Sequence, residues 1–203
     1  MKDYKNRLQL CKNLSDLNIE TACEVGVQEG NYSNCILTQI PSLKKLYLVD
    51  LWEQQKNYFD HSNCNQEKHN EYFETTKLNV ENWKHKVEFL RGRSTEMCHK
   101  IEDNTLDWVY IDARHDYCGC KEDIEAFWPK LKNGGIMSGH DYHTAEEIRR
   151  ITRNKQDWSI CEDGTKHDGA VRGAVDEFAK ENNLQVVVQT SKRNFPTWSI
   201  EKK

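Results

Sequence analysis

The chain has 203 residues, enough for one α/β domain and too few for two of ordinary size. Apolar residues make up 36% and aromatics 10%, which supports a real core, while a formal charge of −4 speaks against a general nucleic-acid or membrane-surface binder. No apolar run approaches the roughly 20 residues of a membrane span. The opening MKDYKNRLQL lacks an apolar stretch of signal-peptide type, so a cytoplasmic protein is expected.

The first segment, residues 1–18, reads as a helix, with Leu10, Leu14 and Leu17 at i, i+4 and i+7. A strand over Ile19–Val25 leads into Gly26-Val27-Gln28-Glu29-Gly30, and Asn31 is the expected cap of a helix carrying Tyr32, Ile36 and Ile40, which Pro41 ends. A second strand, Lys45–Val49, ends on Asp50. Residues 52–83 form a polar insert with aromatics, helical in its second half, where Tyr72, Thr76 and Val80 share a face. A third strand, Val87–Leu90, runs into Arg91-Gly92-Arg93-Ser94, with Ser94 as the expected cap of a short helix. The fourth, Leu106–Ile111, ends on Asp112. Ile124, Phe127, Trp128 and Leu131 mark a helix, and Gly134-Gly135 turns the chain into a fifth strand, Ile136–Ser138, before His140-Asp141. Residues 142–168 read as an irregular polar insert. A helix with Val171, Val175 and Phe178 follows, then strands over Leu184–Gln189 and Thr197–Ile200. Strands alternating with helices imply a doubly wound, largely parallel sheet, and the closing pair implies a hairpin with one antiparallel strand.

The eight cysteines, at 11, 23, 35, 64, 98, 118, 120 and 161, contain no CxxC pair and no zinc-like spacing. They are expected to be buried reduced thiols, with disulfides the minority reading.

In an open α/β sheet, ligands bind beyond the carboxyl ends of the strands, near the point where strand order reverses. Five strand ends here carry polar groups: Glu24 to Gly30, Asp50, Arg93-Ser94, Asp112 to His115, and His140-Asp141. The first loop has glycines at 26 and 30 and lacks the G-x-G-x-x-G of dinucleotide enzymes. Glu24 and Glu29 flank it, which suits a ligand bearing an amino or sulfonium group better than a pyrophosphate. Asp50 can accept both hydroxyls of a ribose.

Glu24-Val-Gly-Val-x-x-Gly30, Asp50, Trp108-Val-Tyr-Ile-Asp-Ala-Arg-His115 and Gly134-Gly-Ile-Met-Ser-Gly-His-Asp-Tyr142 together resemble class I S-adenosylmethionine-dependent methyltransferases. The resemblance is to the small branch that includes sugar and antibiotic O-methyltransferases, of the methyltransferase-domain-24 type. It runs from about residue 20 to the C-terminus, including Gly169–Phe178 and the terminal Trp198 strand. It implies a seven-stranded sheet and S-adenosylmethionine bound by Glu24, Gly26 and Gly30 at its methionine end and Asp50 with Leu51 at the ribose. Arg93 and Ser94 would lie near the adenine, and Asp112 beside the cofactor. Metal-dependent relatives carry acidic ligands after strands four and five, which here are Asp112, His140 and Asp141, with Asp112 and Asp141 the firmer pair and Mg²⁺ or Mn²⁺ the expected ion.

Methyl transfer to a hydroxyl needs proton removal, so Asp112, His115 and Asp141 form the expected catalytic set, with His115 as general base. The alternative is that His115 only hydrogen-bonds a turn or the cofactor; His143 and His167 are backup bases. Trp52, Tyr58, Phe59, Tyr72 and Phe73 form either an acceptor lid or core packing. Arg149, Arg150 and Arg153 form either a solvated helix face or a phosphate contact. The expected partner is a small-molecule or glycan acceptor, a sugar first, with no nucleic acid and no membrane; a homo-oligomer is left open. Catechol-like or amine acceptors, a non-catalytic cofactor-binding module and an NAD-linked enzyme are the rival readings.

Overall fold

A computed structural model describes residues 7–191 and 194–203, so residues 1–6 of the expected first helix lie outside the described residues. Its strands are β1 Thr21–Val25, β2 Lys45–Asp50, β3 Val87–Arg91, β4 Leu106–Ile111, β5 Leu131–Gly139, β6 Val187–Ser191 and β7 Asn194–Glu201. They form one sheet in the order β3-β2-β1-β4-β5-β7-β6. The first five are parallel, and β7 runs antiparallel to both β5 and β6, as the closing hairpin predicted.

Strand periodicity builds the two faces. On β4, Trp108 and Tyr110 face one apolar layer while Val109 and Ile111 face the other, the alternation a strand covered on both sides requires. The first layer packs under helices α1 (Arg7–Ser15) and α2 (Asn31–Gln39), through Leu10, Leu14, Ile36 and Ile40, with α3 (Gln66–Asn79) beside them. The second packs under α5 (Tyr117–Phe127) and α7 (Ala170–Glu181), through Ile124, Phe127, Val175 and Phe178. The short α4 is Ser94–Met97, and α6 is Ala145–Thr152. No helix among the described residues is long and apolar enough to cross a membrane.

Several local expectations need correction. The first helix stops at Ser15, leaving Leu17 53% exposed beyond its end. Gly30, and not Asn31, caps α2, and Arg93, and not Ser94, caps α4. The helix read through Leu131 ends at Phe127. Trp128–Lys130, with Pro129 inside it, tightens to a 3₁₀ turn, and β5 already begins at Leu131. The insert 142–168 contains α6, fixed by a capping box between Thr144 and Glu147. Cys118 and Cys161 form a disulfide, so these two are not reduced thiols, whereas Cys11, Cys23, Cys35, Cys64, Cys98 and Cys120 are free.

Candidate active site

Strand order reverses between β1 and β4, and the carboxyl ends of the strands open there onto a cavity of about 640 Å³. Glu24, Gly26, Asp50, Leu51, Arg93, Ser94, Asp112, His115, His140 and Asp141 all line it, so nearly every residue named from the sequence meets in one place. Gly30 is the exception. It packs on α3, where an added Cβ would come within 2.7 Å of Thr76 Cγ2. Gly26 is required by its neighbour more than by a ligand: at φ 87°, an added Cβ would sit 2.2 Å from the Asp112 carbonyl.

The β1–α2 loop is held from below by Asp50, whose Oδ2 accepts from the amides of Val27 (2.7 Å) and Gln28 (3.0 Å) and whose Oδ1 accepts from Trp52 N (2.7 Å). Those bonds use part of a carboxylate's acceptor capacity and orient the group at the cavity wall. Glu24 points to the α2 side of β1, is 1% exposed, and accepts from Ser33 Oγ. Burial pushes its carboxyl up to about 8, against the pull of that hydroxyl.

Beyond β4 and β5 lies a cluster built on His115. Its Nε2 stands 3.1 Å from Asp141 Oδ2 and 3.5 Å from Asp112 Oδ1, and its Nδ1 lies 2.9 Å from Tyr58 Oη and 3.3 Å from Asp60 Oδ2. Burial alone would lower the imidazole pKa. Asp141, with the bonds to Asp112 and Asp60, outweighs burial and pushes it well above the ordinary histidine value. Burial likewise opposes ionisation of Asp112, but His115 and Arg7 hold that carboxyl down at about 2. Asp141 sits at φ 59°, a left-handed conformation that Asp tolerates better than most residues. His140 turns aside to place Nδ1 2.9 Å from Asp141 Oδ1. Ligand atoms of Asp112, His115 and Asp141 all lie within 4.8 Å of one another. These three are one group whose spacing could hold a cation; the sequence expectation placed His140 beside the two aspartates.

The two inserts meet over this cluster. Phe59 pairs with Asp157 in an antiparallel bridge, Trp158 Nε1 donates to Asp60 Oδ2 at 2.8 Å, and the Trp158 ring lies 4.4 Å from the His115 ring. The Cys118–Cys161 bond ties the same wall to α5, and Arg93 reaches Glu162 through two bonds of 2.6 and 2.7 Å. On the Arg93 side, Ser94 Oγ donates to Asp123, which is 3% exposed. Burial, against that hydroxyl and with help from Glu122 and Asp116, pushes the Asp123 carboxyl up to about 7.

Other sequence candidates resolve differently. Trp52, Tyr72 and Phe73 pack with the α2-side core, Phe59 is 55% exposed, and of the five aromatics Trp52 and Tyr58 line the cavity, Tyr58 alone bonding to His115. His143 lies against Glu147 and His167 stacks on Tyr117, both away from the cavity lining. Arg149 pairs with Asp157 and Asp168, and Arg150 and Arg153 are exposed, so this cluster is a solvated face. Sequence reasoning missed Arg7, Asp60, Asp123 and Trp158. Arg7 Nη1 donates to Asp112 Oδ2 at 2.7 Å from a helix 105 residues away, a pairing no local pattern announces.

Residues 23–142 match the family model described as a methyltransferase domain. Among curated proteins, the uncharacterized protein y4gI of Sinorhizobium fredii is 37% identical over 57 residues, 28% of this chain but only 6% of that protein's length. Similar solved structures include an O-methyltransferase from Bacillus cereus in complex with S-adenosylhomocysteine, with 13% identity, a TM-score of 0.63, and 97% of this chain and 80% of that one covered. The O-methyltransferase TomG from Streptomyces achromogenes, in complex with S-adenosylmethionine, matches at 13% identity and a TM-score of 0.62, with 97% and 80% covered. Spermidine synthase from Thermotoga maritima shares the fold at 16% identity, a TM-score of 0.56, and 92% and 54% covered. The chain belongs to the methyltransferase-domain family, and it shares the fold of these O-methyltransferases.

Proposed function

We propose that the chain transfers the methyl group of S-adenosylmethionine to a hydroxyl oxygen, that of a sugar carried on a glycan or a nucleotide. The observation that carries this reading is the single cavity that joins Glu24, Asp50 and Ser94 to the Asp112–His115–Asp141 cluster. The first group suits the amino acid, ribose and adenine of the cofactor, and the second stands where an acceptor would be activated. In the reaction the acceptor oxygen attacks the sulfonium methyl in line. The O–C bond forms as the C–S bond breaks, and the hydroxyl proton must leave for a protein group.

Two carboxylates and an imidazole within 4.8 Å fit a divalent cation of the Mg²⁺ or Mn²⁺ kind. Such an ion would acidify a coordinated hydroxyl and neutralise the carboxylates that now keep a proton on His115. Asp112 and Asp141 would hold it, His140 would orient Asp141, and Asp60 would fix the His115 ring through Nδ1, leaving Nε2 beside the ion to take the proton. His115 is the favoured proton acceptor in its neutral form; as an imidazolium it accepts nothing, and against burial Asp141, Asp112 and Asp60 favour the imidazolium until a cation offsets their charge. The same reading takes the 203 residues as a single domain, with segments 52–83 and 142–168 walling the acceptor side, and places it in the cytoplasm. The six free cysteines favour that compartment and the Cys118–Cys161 bond opposes it.

The test is calorimetric titration with S-adenosylmethionine and S-adenosylhomocysteine, with and without Mg²⁺, on wild type and Asp50→Ala. It is followed by labelled-methyl transfer to sugars, nucleotide sugars, catechols and amines. Cofactor binding weakened by Asp50→Ala, with label passing to sugars and lost in EDTA, is expected. Label passing only to catechols or amines overturns the sugar assignment. Transfer that EDTA leaves intact removes the metal, and binding without transfer to any acceptor favours a non-catalytic module.

A further inference from the structure

We infer that Arg7 is the receptor for the α-carboxylate of the cofactor's methionyl group, an inference that rests on the S-adenosylmethionine reading of this cavity. A zwitterionic amino acid needs one anionic and one cationic wall. The wall for the ammonium is present in Asp112, an anion, and Glu24, a buried carboxyl acceptor, at the β4 and β1 ends beside the glycine loop. The cationic wall has three arginine candidates among the cavity-lining residues: Arg7, Arg93 and Arg114. Arg93 closes its fork on Glu162 through two bonds, 2.6 and 2.7 Å long. Arg114 is only 10% exposed at its side chain, where Nε donates to Asp116 at 2.6 Å and Nη1 reaches Gln55 and the Lys56 carbonyl at 3.3 Å. Arg93 is consumed in building the wall, and Arg114 keeps only Nη2 unbonded, an atom buried away from the open cavity surface.

Arg7 is placed differently. It gives Nη1 to Asp112 Oδ2 at 2.7 Å and lies over the Tyr32 ring at 5.4 Å, and its side chain lines the cavity and is 40% exposed. Its charge is felt by Glu24, which puts it at the methionine end and not at the Arg93 end. A guanidinium offers five N–H donors in a fixed fork that matches a carboxylate, and Asp112 takes one of them. Tyr32 and Asp112 set the plane and reach of that fork before any ligand arrives. Helix α1 thus closes the cofactor site, although its sequence shows only a short amphipathic segment.

Decarboxylated S-adenosylmethionine keeps the sulfonium, the amine and the adenosine and lacks only the carboxylate, so it isolates this contact. Calorimetry with both ligands on wild type, Arg7→Met and Arg7→Lys is the experiment, with thermal melting to confirm folding. Wild type should prefer S-adenosylmethionine by about tenfold or more, the scale of one hydrogen-bonded charge contact. In Arg7→Met that preference should collapse toward unity through loss of S-adenosylmethionine affinity, with decarboxylated ligand little changed. Arg7→Lys, which keeps the charge without the fork, should fall between and serves alone if the methionine variant does not fold. An unchanged preference in either folded variant overturns the inference. Failure of wild type to bind either ligand overturns the cofactor reading itself.

Discussion

Replacing Asp123 by asparagine should leave the chain's stability near that of wild type at acid pH and make it clearly the more stable of the two at pH 8. Asp123 sits on α5, 3% exposed, with Ser94 Oγ donating to it across the cavity wall. Burial raises its carboxyl to about 7; Glu122 and Asp116 push the same way, while Ser94 and Arg114 pull against them. In the unfolded chain an aspartate titrates near about 3.9. Between those values the folded chain binds a proton that the unfolded chain has lost. The slope of unfolding free energy with pH is then negative, so stability is fully present below the unfolded pKa and drains away as pH rises toward 7. From pH 5 to pH 8 the loss amounts to about 3 kcal/mol.

Asparagine has nearly the same shape, can accept the Ser94 hydroxyl through Oδ1, and does not titrate. The gap between the two proteins should therefore widen by about 3 kcal/mol over that interval, whatever constant offset the amide introduces. Glu24 and the other shifted groups are common to both chains and cancel in the difference. Urea unfolding at pH 5, 6, 7 and 8, with midpoints and slopes fitted at each, reads the gap directly. Parallel pH profiles for the two proteins would refute the reasoning, because they would mean that Asp123 is already ionised in the folded state at pH 5.

Gly26→Ala should cost about 2 to 4 kcal/mol, since it adds left-handed strain at φ 87° to a clash with the Asp112 backbone. Thermal melting checks it, and a variant as stable as wild type would show that β1 and β4 ends are not in contact. Paired Cys118→Ser and Cys161→Ser substitutions remove a link across 43 residues, worth up to about 4 kcal/mol of unfolded-chain entropy. Dithiothreitol should lower the wild-type melting midpoint and leave the double variant unmoved; a wild-type midpoint insensitive to it would rule the bond out.

The parts of the site that were legible in the sequence share one property: each is fixed by a strand. Alternating Trp108, Val109, Tyr110 and Ile111 announce a strand covered on both faces, and the rule that ligands gather at carboxyl ends then selects Asp112 without any contact being known. The same logic finds Asp50, Arg93-Ser94 and Asp141. It fails one residue past a strand, where direction is set by the turn. Asp141 takes a left-handed φ, His140 bends back onto it, and the ring that meets both carboxylates belongs to His115, three residues beyond Asp112. It fails again wherever a wall is made by distant segments with no period of their own. Asp60 meets Trp158 across 98 residues and Arg7 meets Asp112 across 105, and neither pairing leaves a mark within a window of sequence. Helix α6 does carry a local signal, since Thr144 and Glu147 form a capping box with Ile148 buried behind it, inside a segment whose polarity reads as a loop. Together these place the boundary of sequence reasoning. The sheet and the residues it carries follow from periodicity, so the cofactor floor is predictable. The inserts that meet over the Asp112–His115–Asp141 cluster are positioned by a bridge, a disulfide and an indole hydrogen bond, so that wall has to be read from the folded chain.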